Sequence, residues 1–267
     1  MQQDNPDLTF ITATAPVAAE THGGRAKCLQ RLVRLDLPVP RTVALSFDEV
    51  HRIAQGVLPD MSVLLAPLDA GSLLCVRPSS EDPDWGGPGA VLNIGMNDAR
   101  LAEFSPLIGK TAARKLYARF IQTYSVQVAR LDPDMFDDLD LEAEDVCDVA
   151  LAAYKDEAEE AFPQDPGVQL AGVLRSMARA WEGTSARLLR QAKGAPADAG
   201  LGLVVQEMVL GLGRGECGSG VLQLVNSTTG HPQITGRYMS QSQGRDALDD
   251  WFAVFSQRES FVATKPG

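Results

Sequence analysis

Residue types that often mark a metal site or a disulfide framework are scarce in this chain. Its 267 residues include four cysteines and three histidines. Cys28, Cys75, Cys147 and Cys217 are widely spaced and form no CxxC pair, which argues against a zinc site. No apolar run approaches the ~20 residues of a membrane span, and the N-terminus lacks the basic start of a signal peptide. The sequence therefore predicts a cytoplasmic protein with reduced thiols and no membrane partner.

Positive charge is also in short supply. The chain has 24 Lys and Arg against 35 Asp and Glu, a formal net charge of −11. Such a balance argues against nucleic acid or anionic lipid as a partner, because both attract basic surfaces. It leaves room for a local basic pocket that binds phosphate. The 45% hydrophobic content is ordinary for a globular protein with an ample core.

Periodicity and capping residues place the main elements. Ser46, with Glu49 three residues later, forms a capping box that predicts a helix over 46–56. Asp165-Pro166 is typical of a helix start. The other predicted helices are 25–36, 110–131, 141–161, 168–193 and 246–256. The predicted strands are 42–45, 72–76, 90–94, 203–209 and 221–226, and the last turns at 227–230 and returns as a hairpin.

The order of these elements predicts an α+β fold. Residues 1–96 mix helix and strand, residues 97–200 are helical, and residues 201–267 are rich in strand and glycine. The simplest arrangement is a helical subdomain inserted between two β-containing subdomains. Residues 211–220 form a glycine-rich loop between two strands, but the loop lacks the Gly-Lys-Ser/Thr ending of a P-loop.

Four segments together resemble a known family. Gly23-Gly24-Arg25-Ala26-Lys27, followed by Leu37-Pro38-Val39-Pro40, is similar to "GGKGA…GLPVP". Residues 76–98 resemble "VRS…PGMMDTVLNLGLND", and residues 162–170 match a distinctive Phe-Pro-Gln-Asp-Pro peptide. Residues 205–209 and 218–246 resemble "VQAMVFG…SGTGVAFTRNPSTGE…GEFLINAQGED". In this order the segments resemble the N-terminal nucleotide-binding region of the pyruvate, phosphate dikinase family.

The resemblance implies an ATP-grasp-like domain that holds its nucleotide between two sheets, with residues 201–267 carrying adenine and phosphate segments. It further implies an ATP cofactor, with Mg²⁺, and a phosphohistidine domain in the same or another chain as the partner that accepts the phosphoryl group. His22, His51 and His231 do not lie in phosphohistidine-type motifs. This chain would therefore be incomplete as an enzyme on its own.

The resemblance also assigns candidate residues for phosphate. Arg77 matches the phosphate-binding arginine of "VRS", although by itself it also reads as a surface arginine that ends a strand. Arg25 stands where the family has a phosphate-binding lysine, and arginine keeps the charge with a different geometry. Gly23 and Gly24 would let backbone approach a phosphate at a helix start, although such a pair is commonly just a turn.

Further candidates lie near the C-terminal end. Gln206, Glu207 and Met208 occupy the adenine-facing segment, where Glu207 would either accept from the adenine amino group or face water. Gln243 matches a glutamine that helps to hold metal or phosphate oxygens, and it also reads as a turn residue.

Four positions depart from the family pattern. His231, Arg237 and Arg245 stand where the family has glutamates, and Val225 stands where it has an arginine. Because Mg²⁺ prefers carboxylate and phosphate oxygens, these replacements predict a weakened metal site. Two hypotheses remain open: an ATP-binding phosphotransferase domain, and a non-catalytic module that senses a nucleotide or anion, or docks a partner.

Overall fold

A computed structural model describes residues 7–243 and 254–256 of the chain. Its strands are β1 (Leu8–Phe10), β2 (Thr42–Leu45), β3 (Leu74–Ser80), β4 (Val91–Ile94), β5 (Leu201–Glu207), β6 (Gly218–Val225), β7 (Pro232–Ser240) and β8 (Val254–Ser256). Its α-helices are α1 (Ala19–Arg34), α2 (Phe47–Ala54), α3 (Met61–Leu65), α4 (Asp98–Ile108), α5 (Lys110–Gln127), α6 (Val146–Ala158), α7 (Pro166–Glu182) and α8 (Thr184–Ala192). Short 3₁₀ helices occupy Pro83–Trp85 and Pro133–Phe136.

The chain divides into two compact units. The first unit contains Met1–Glu103 and Ala113–Met208, and the second contains Phe104–Ala112 and Val209–Gly267. Mixed helix and antiparallel sheet agree with the predicted α+β class. The ATP-grasp assignment and the three-part division at residues 96 and 200 remain predictions.

The first unit is built on an antiparallel sheet with the strand order β1-β2-β5-β3-β4. Strand β5 lies between β2 and β3, and its residues are buried from Leu201 to Gln206. The near-continuous apolar run of β5 suits this central position. Helix α1 packs on β3 and β5, and a core of Ile11, Val17, Ala26, Ala44 and Val204 forms there.

The second unit contains a sheet with the order β6-β7-β8, also antiparallel. Strands β6 and β7 form the predicted hairpin, whose tip includes Asn226 and Gly230. The side chain of Asn226 accepts hydrogen bonds from the backbone N–H groups of Thr228 and Thr229 at 2.9 and 3.0 Å. Such local bonds explain why this turn could be predicted from its residue types.

Both predicted helix caps are confirmed. The Ser46 hydroxyl accepts from the N–H of Glu49 at 3.1 Å, and the Asp165 carboxylate accepts from the N–H of Val168 at 2.8 Å. Each cap binds one of the N–H groups that lack a partner within the first turn of a helix.

Two predicted helices are wrong. The predicted helix 168–193 is two helices, α7 and α8, because Gly183 between them has an extended ψ of 140°. Glycine has a low helix propensity, so the break costs little there. Of the predicted helix 246–256, residues 246–253 lie outside the described residues, and Val254–Ser256 pairs with β7 as strand β8. Across the part of the chain that the structure describes, no helix is long and apolar enough to cross a membrane.

Candidate functional site

The Gly23-Gly24 turn rests directly against strand β3. Helix α1 is interrupted at Gly23, whose φ of 84° and ψ of 166° are not helical. A Cβ added at Gly23 would lie 1.7 Å from the carbonyl oxygen of Ser79, and one at Gly24 would lie 3.0 Å from that of Glu81. Gly23 is therefore required both by its positive φ and by the close approach of β3.

Arg25 lies against the strand that carries Arg77. Arg25 donates from Nε to the carbonyl oxygen of Pro78 at 2.7 Å, and Pro78 directly follows Arg77 on β3. Burial lowers the pKa of Arg25, and the positive charge of Arg77 lowers it further. Neither side chain forms an ion pair with a carboxylate of the described residues. Two neighbouring cations without an acidic partner favour an anion such as phosphate.

The predicted adenine segment lies on the neighbouring strand. Val204 of β5 pairs with Arg77, and Glu207 pairs with Leu74. At about 3.4 Å per residue, Glu207 is roughly 10 Å along the strand from the position opposite Arg77. The sheet register therefore places the adenine and arginine segments on adjacent strands of one sheet.

The side chains of that segment have partners within the first unit. Gln206 is buried and donates from Nε2 to the Thr42 hydroxyl at 2.9 Å. Glu207 accepts the N–H of Asp69 at 2.6 Å. The Met208 Sδ accepts the N–H of Asn93 at 3.1 Å. Gln206 and Glu207 thus make structural hydrogen bonds, and their contact with adenine stays a prediction.

Gln243 lies in the second unit, beside the start of the glycine-rich loop. Its Oε1 accepts the N–H of Gly211 at 2.6 Å, and its Nε2 donates to the carbonyl oxygen of Val209 at 3.1 Å. These bonds hold the loop to the end of β7. A role with metal or phosphate stays a prediction.

Two of the positions expected to depart from the family pattern, His231 and Arg237, are exposed, and Arg245 lies outside the described residues. His231 lies at the tip of the β6–β7 hairpin, and Arg237 lies on β7 opposite Val221. No group of three or more His, Cys, Asp or Glu side chains that could hold a metal is found among residues 7–243. Neither an imidazole at the hairpin tip nor a guanidinium on β7 resembles the carboxylate set that Mg²⁺ prefers.

One residue that organises this site escaped the sequence analysis. Ser79 is buried, with 1% of its surface exposed, and its hydroxyl contacts α1 on both sides of the Gly23 interruption. Its position two residues after Arg77 is the sequence feature that could have drawn attention to it. A serine in a strand has no local pattern that predicts such contacts.

Comparison with known proteins relates the chain to a family. No protein-family model matches the chain. It is 32% identical to pyruvate, phosphate dikinase of Clostridium symbiosum over 66% of the chain and 22% of that protein. It is 32% identical to the enzyme of Rhizobium meliloti over 90% of the chain and 31% of that protein. The chain is homologous to one region of the pyruvate, phosphate dikinase family.

A chloroplastic pyruvate, phosphate dikinase of Flaveria trinervia shows 27% identity over 76% of the chain and 23% of that protein. The chain thus spans between a fifth and a third of the length of these three relatives. The family resemblance drawn from the four sequence segments is confirmed.

Proposed function

We propose that this chain is an ATP-binding phosphotransferase domain of the pyruvate, phosphate dikinase type, which passes a phosphoryl group to a histidine on a separate domain. The observation that carries the proposal is the Arg25–Arg77 pair. These cations come from segments distant in sequence, adjoin the Gly23 turn, and have no carboxylate partner among the described residues. The homology to pyruvate, phosphate dikinases supports the same activity.

The proposed division of roles follows from the chemistry of each group. ATP would supply the phosphoryl group when bound. Arg25 and Arg77 would bind and orient the phosphate oxygens through charge-assisted hydrogen bonds. Gly23 and Gly24 stay candidates for a backbone contact with phosphate at the resumed helix start, although β3 fills the space that their side chains would occupy. Gln206, Glu207 and Met208 would line the adenine, whereas a role of Gln243 with metal or phosphate stays a prediction of the family resemblance.

The described donors suit magnesium poorly. His231 and Arg237 supply nitrogen and positive charge rather than carboxylate oxygen. Mg²⁺ that accompanies ATP would then be held largely by the phosphate oxygens of the nucleotide.

Calorimetric titration with ATP tests the arginine pair. We expect Arg77→Gln and Arg25→Gln each to weaken ATP binding by about 10- to 100-fold, since a hydrogen bond to a charged group contributes roughly 1.5–3 kcal/mol. Arg34→Gln is the matched control, because Arg34 also lies on α1 and donates from Nε to a backbone carbonyl, that of Ala13, at 2.7 Å. Equal losses in all three variants, or a wild-type chain that binds no ATP, would contradict the proposal.

Two further measurements separate this proposal from a non-catalytic sensing module. ATP binding is measured with Mg²⁺ and again with EDTA, and label from ATP is followed to a phosphohistidine domain of a relative supplied in trans. A phosphotransferase should transfer label in the presence of Mg²⁺. Tight binding that is indifferent to EDTA, with no transfer, would instead identify a nucleotide sensor.

A further inference from the structure

The interruption of helix α1 creates a second helix start inside the element. Residues after Gly23 resume the helix and continue to Arg34. A helix start leaves backbone N–H groups without partners, and the residue before it commonly caps one of them with a side-chain oxygen. Gly23 occupies that capping position and has no side chain. The cap must therefore come from elsewhere in the chain.

Ser79 on β3 supplies this cap. Its hydroxyl oxygen accepts the N–H of Ala26 at 3.0 Å, the third residue of the resumed helix. The same hydroxyl donates to the carbonyl oxygen of His22 at 2.7 Å, the last residue before the interruption. One buried hydroxyl thus binds both sides of the break. Ser79 and Ala26, which it joins, are 53 residues apart in sequence.

The contact also joins the two segments that carry the proposed phosphate-binding arginines. Arg25 directly precedes Ala26, and Arg77 lies two residues before Ser79 on the same strand. The Gly23 backbone can approach β3 this closely only because it lacks a Cβ, which would lie 2.6 Å from the Ser79 hydroxyl oxygen. Loss of the hydroxyl would free the resumed helix start to shift along β3, and the Arg25 guanidinium would move with it.

We propose that Ser79 is a positioning residue for the phosphate-binding site: its hydroxyl caps the resumed part of α1 and holds Arg25 beside Arg77. This inference rests on the proposed function, because it takes the arginine pair as the phosphate contact. It assigns Ser79 no contact with the nucleotide. Removal of the hydroxyl should therefore impair recognition of the phosphate chain and leave recognition of the nucleoside unchanged.

The experiment compares three ligands by calorimetry: ATP, inorganic tripolyphosphate and adenosine. We expect Ser79→Ala to bind ATP and tripolyphosphate about tenfold more weakly, the scale of a lost helix cap, with unchanged affinity for adenosine. Ser79→Cys keeps a weak donor and acceptor at this position and should give intermediate affinities. It also provides the measurement if Ser79→Ala does not fold.

Ser125→Ala is the matched control. Ser125 is fully buried on α5, and its hydroxyl also donates to a backbone carbonyl, that of Ile121, at 2.7 Å. A general loss of packing would affect both serine variants, whereas a positioning role affects only Ser79. The control should bind all three ligands as the wild-type chain does.

The possible results separate failure of the Ser79 role from failure of the proposed ATP-binding function. A wild-type chain that binds neither ATP nor tripolyphosphate defeats the proposed function and this inference together. Wild-type binding that depends on Arg77 but is unchanged in Ser79→Ala, or a loss for adenosine equal to that for ATP, overturns the role of Ser79 alone.

Discussion

At the scale of single residues, Gly23 combines two demands that can be separated by mutation. Its φ of 84° disfavours a side chain, and the backbone of Ser79 occupies the space that a Cβ would need. Gly56 has a φ of 99° but nothing within 4 Å of an added Cβ. The two positions therefore differ in the space around them while both having positive φ values.

We expect Gly56→Ala to lower the free energy of unfolding by about 1–2 kcal/mol, the cost of a left-handed backbone for a residue with a side chain. Gly23→Ala should cost more than about 3 kcal/mol, because α1 and β3 must also move apart. Chemical denaturation followed by circular dichroism measures both variants. Similar costs in the two would show that the approach of β3 to α1 is not constrained as described.

At the scale of elements, the segment 162–170, which begins with the Phe-Pro-Gln-Asp-Pro peptide, has a structural role. The side chain of Gln169, fully buried near the start of α7, accepts the N–H of Gly95 at 2.8 Å. It donates to the carbonyl oxygens of Met96 and Pro163 at 3.0 and 2.7 Å. Two of the segments that carried the family resemblance are thus hydrogen-bonded to each other.

Gln169→Leu should lower the free energy of unfolding by about 3 kcal/mol, because it removes the partners of two buried backbone groups, at Gly95 and Met96, and of the half-buried Pro163 carbonyl. Gln191→Leu, at an exposed position on α8, should change it by no more than about 0.5 kcal/mol. Denaturation followed by tryptophan fluorescence suits this test, since Trp181 is buried on the same helix as Gln169. A Gln169→Leu variant as stable as wild type would show that the hydrogen bonds from Gln169 to Gly95 and Met96 do not stabilise the fold.

At the scale of the whole molecule, the candidate residues fall into two groups. Gly23, Gly24, Arg25, Arg77 and the adenine segment belong to the first unit, whereas Gln243, His231 and Arg237 belong to the second. The first group alone carries the proposed phosphate site. This division is why the arginine and serine variants, rather than Gln243, provide the decisive tests.

An ion pair between Asp7 and Arg52 of α2 makes the stability of the protein depend on pH. Arg52 contacts Asp7 at 2.8 Å and also Glu49, and Ser46 donates to Asp7 at 2.8 Å. Hydrogen bonding from Arg52 lowers the pKa of the Asp7 carboxyl below its ordinary value. A lowered pKa in the folded state stabilises the protein above the unfolded pKa, near 4, and that contribution is lost as pH falls through the folded pKa.

Asp7→Asn should therefore destabilise the protein at pH 7 by about 0.5–1 kcal/mol, a typical value for a partly exposed pair. The difference from wild type should shrink as the pH falls below about 4. Asp156→Asn, at an exposed position on α6, should show no comparable effect at either pH. Urea denaturation across this pH range provides the measurement, and a difference that persists at low pH would rule out the ion pair as its cause.

The sequence by itself determined those features whose causes lie within a few residues. The caps at Ser46 and Asp165 and the hairpin tip at Asn226 each depend on neighbouring backbone groups, so local residue types predicted them. Prediction from the sequence failed where a local pattern was interrupted, as at Gly183, which divides the predicted helix 168–193. The family resemblance depended only on the order of four sequence segments, so it could be recognised without knowledge of tertiary contacts.

Tertiary structure alone decided which segments meet. The antiparallel order β2-β5-β3 and the packing of α1 on this sheet bring Arg25 to Pro78, and Ala26 to Ser79, across 53 residues of sequence. Likewise, Gln206 looked available to adenine in sequence, but the pairing of β5 with β2 brings it to Thr42. No local rule specifies such contacts, because they follow from sheet register and from the burial of apolar surface over the whole unit.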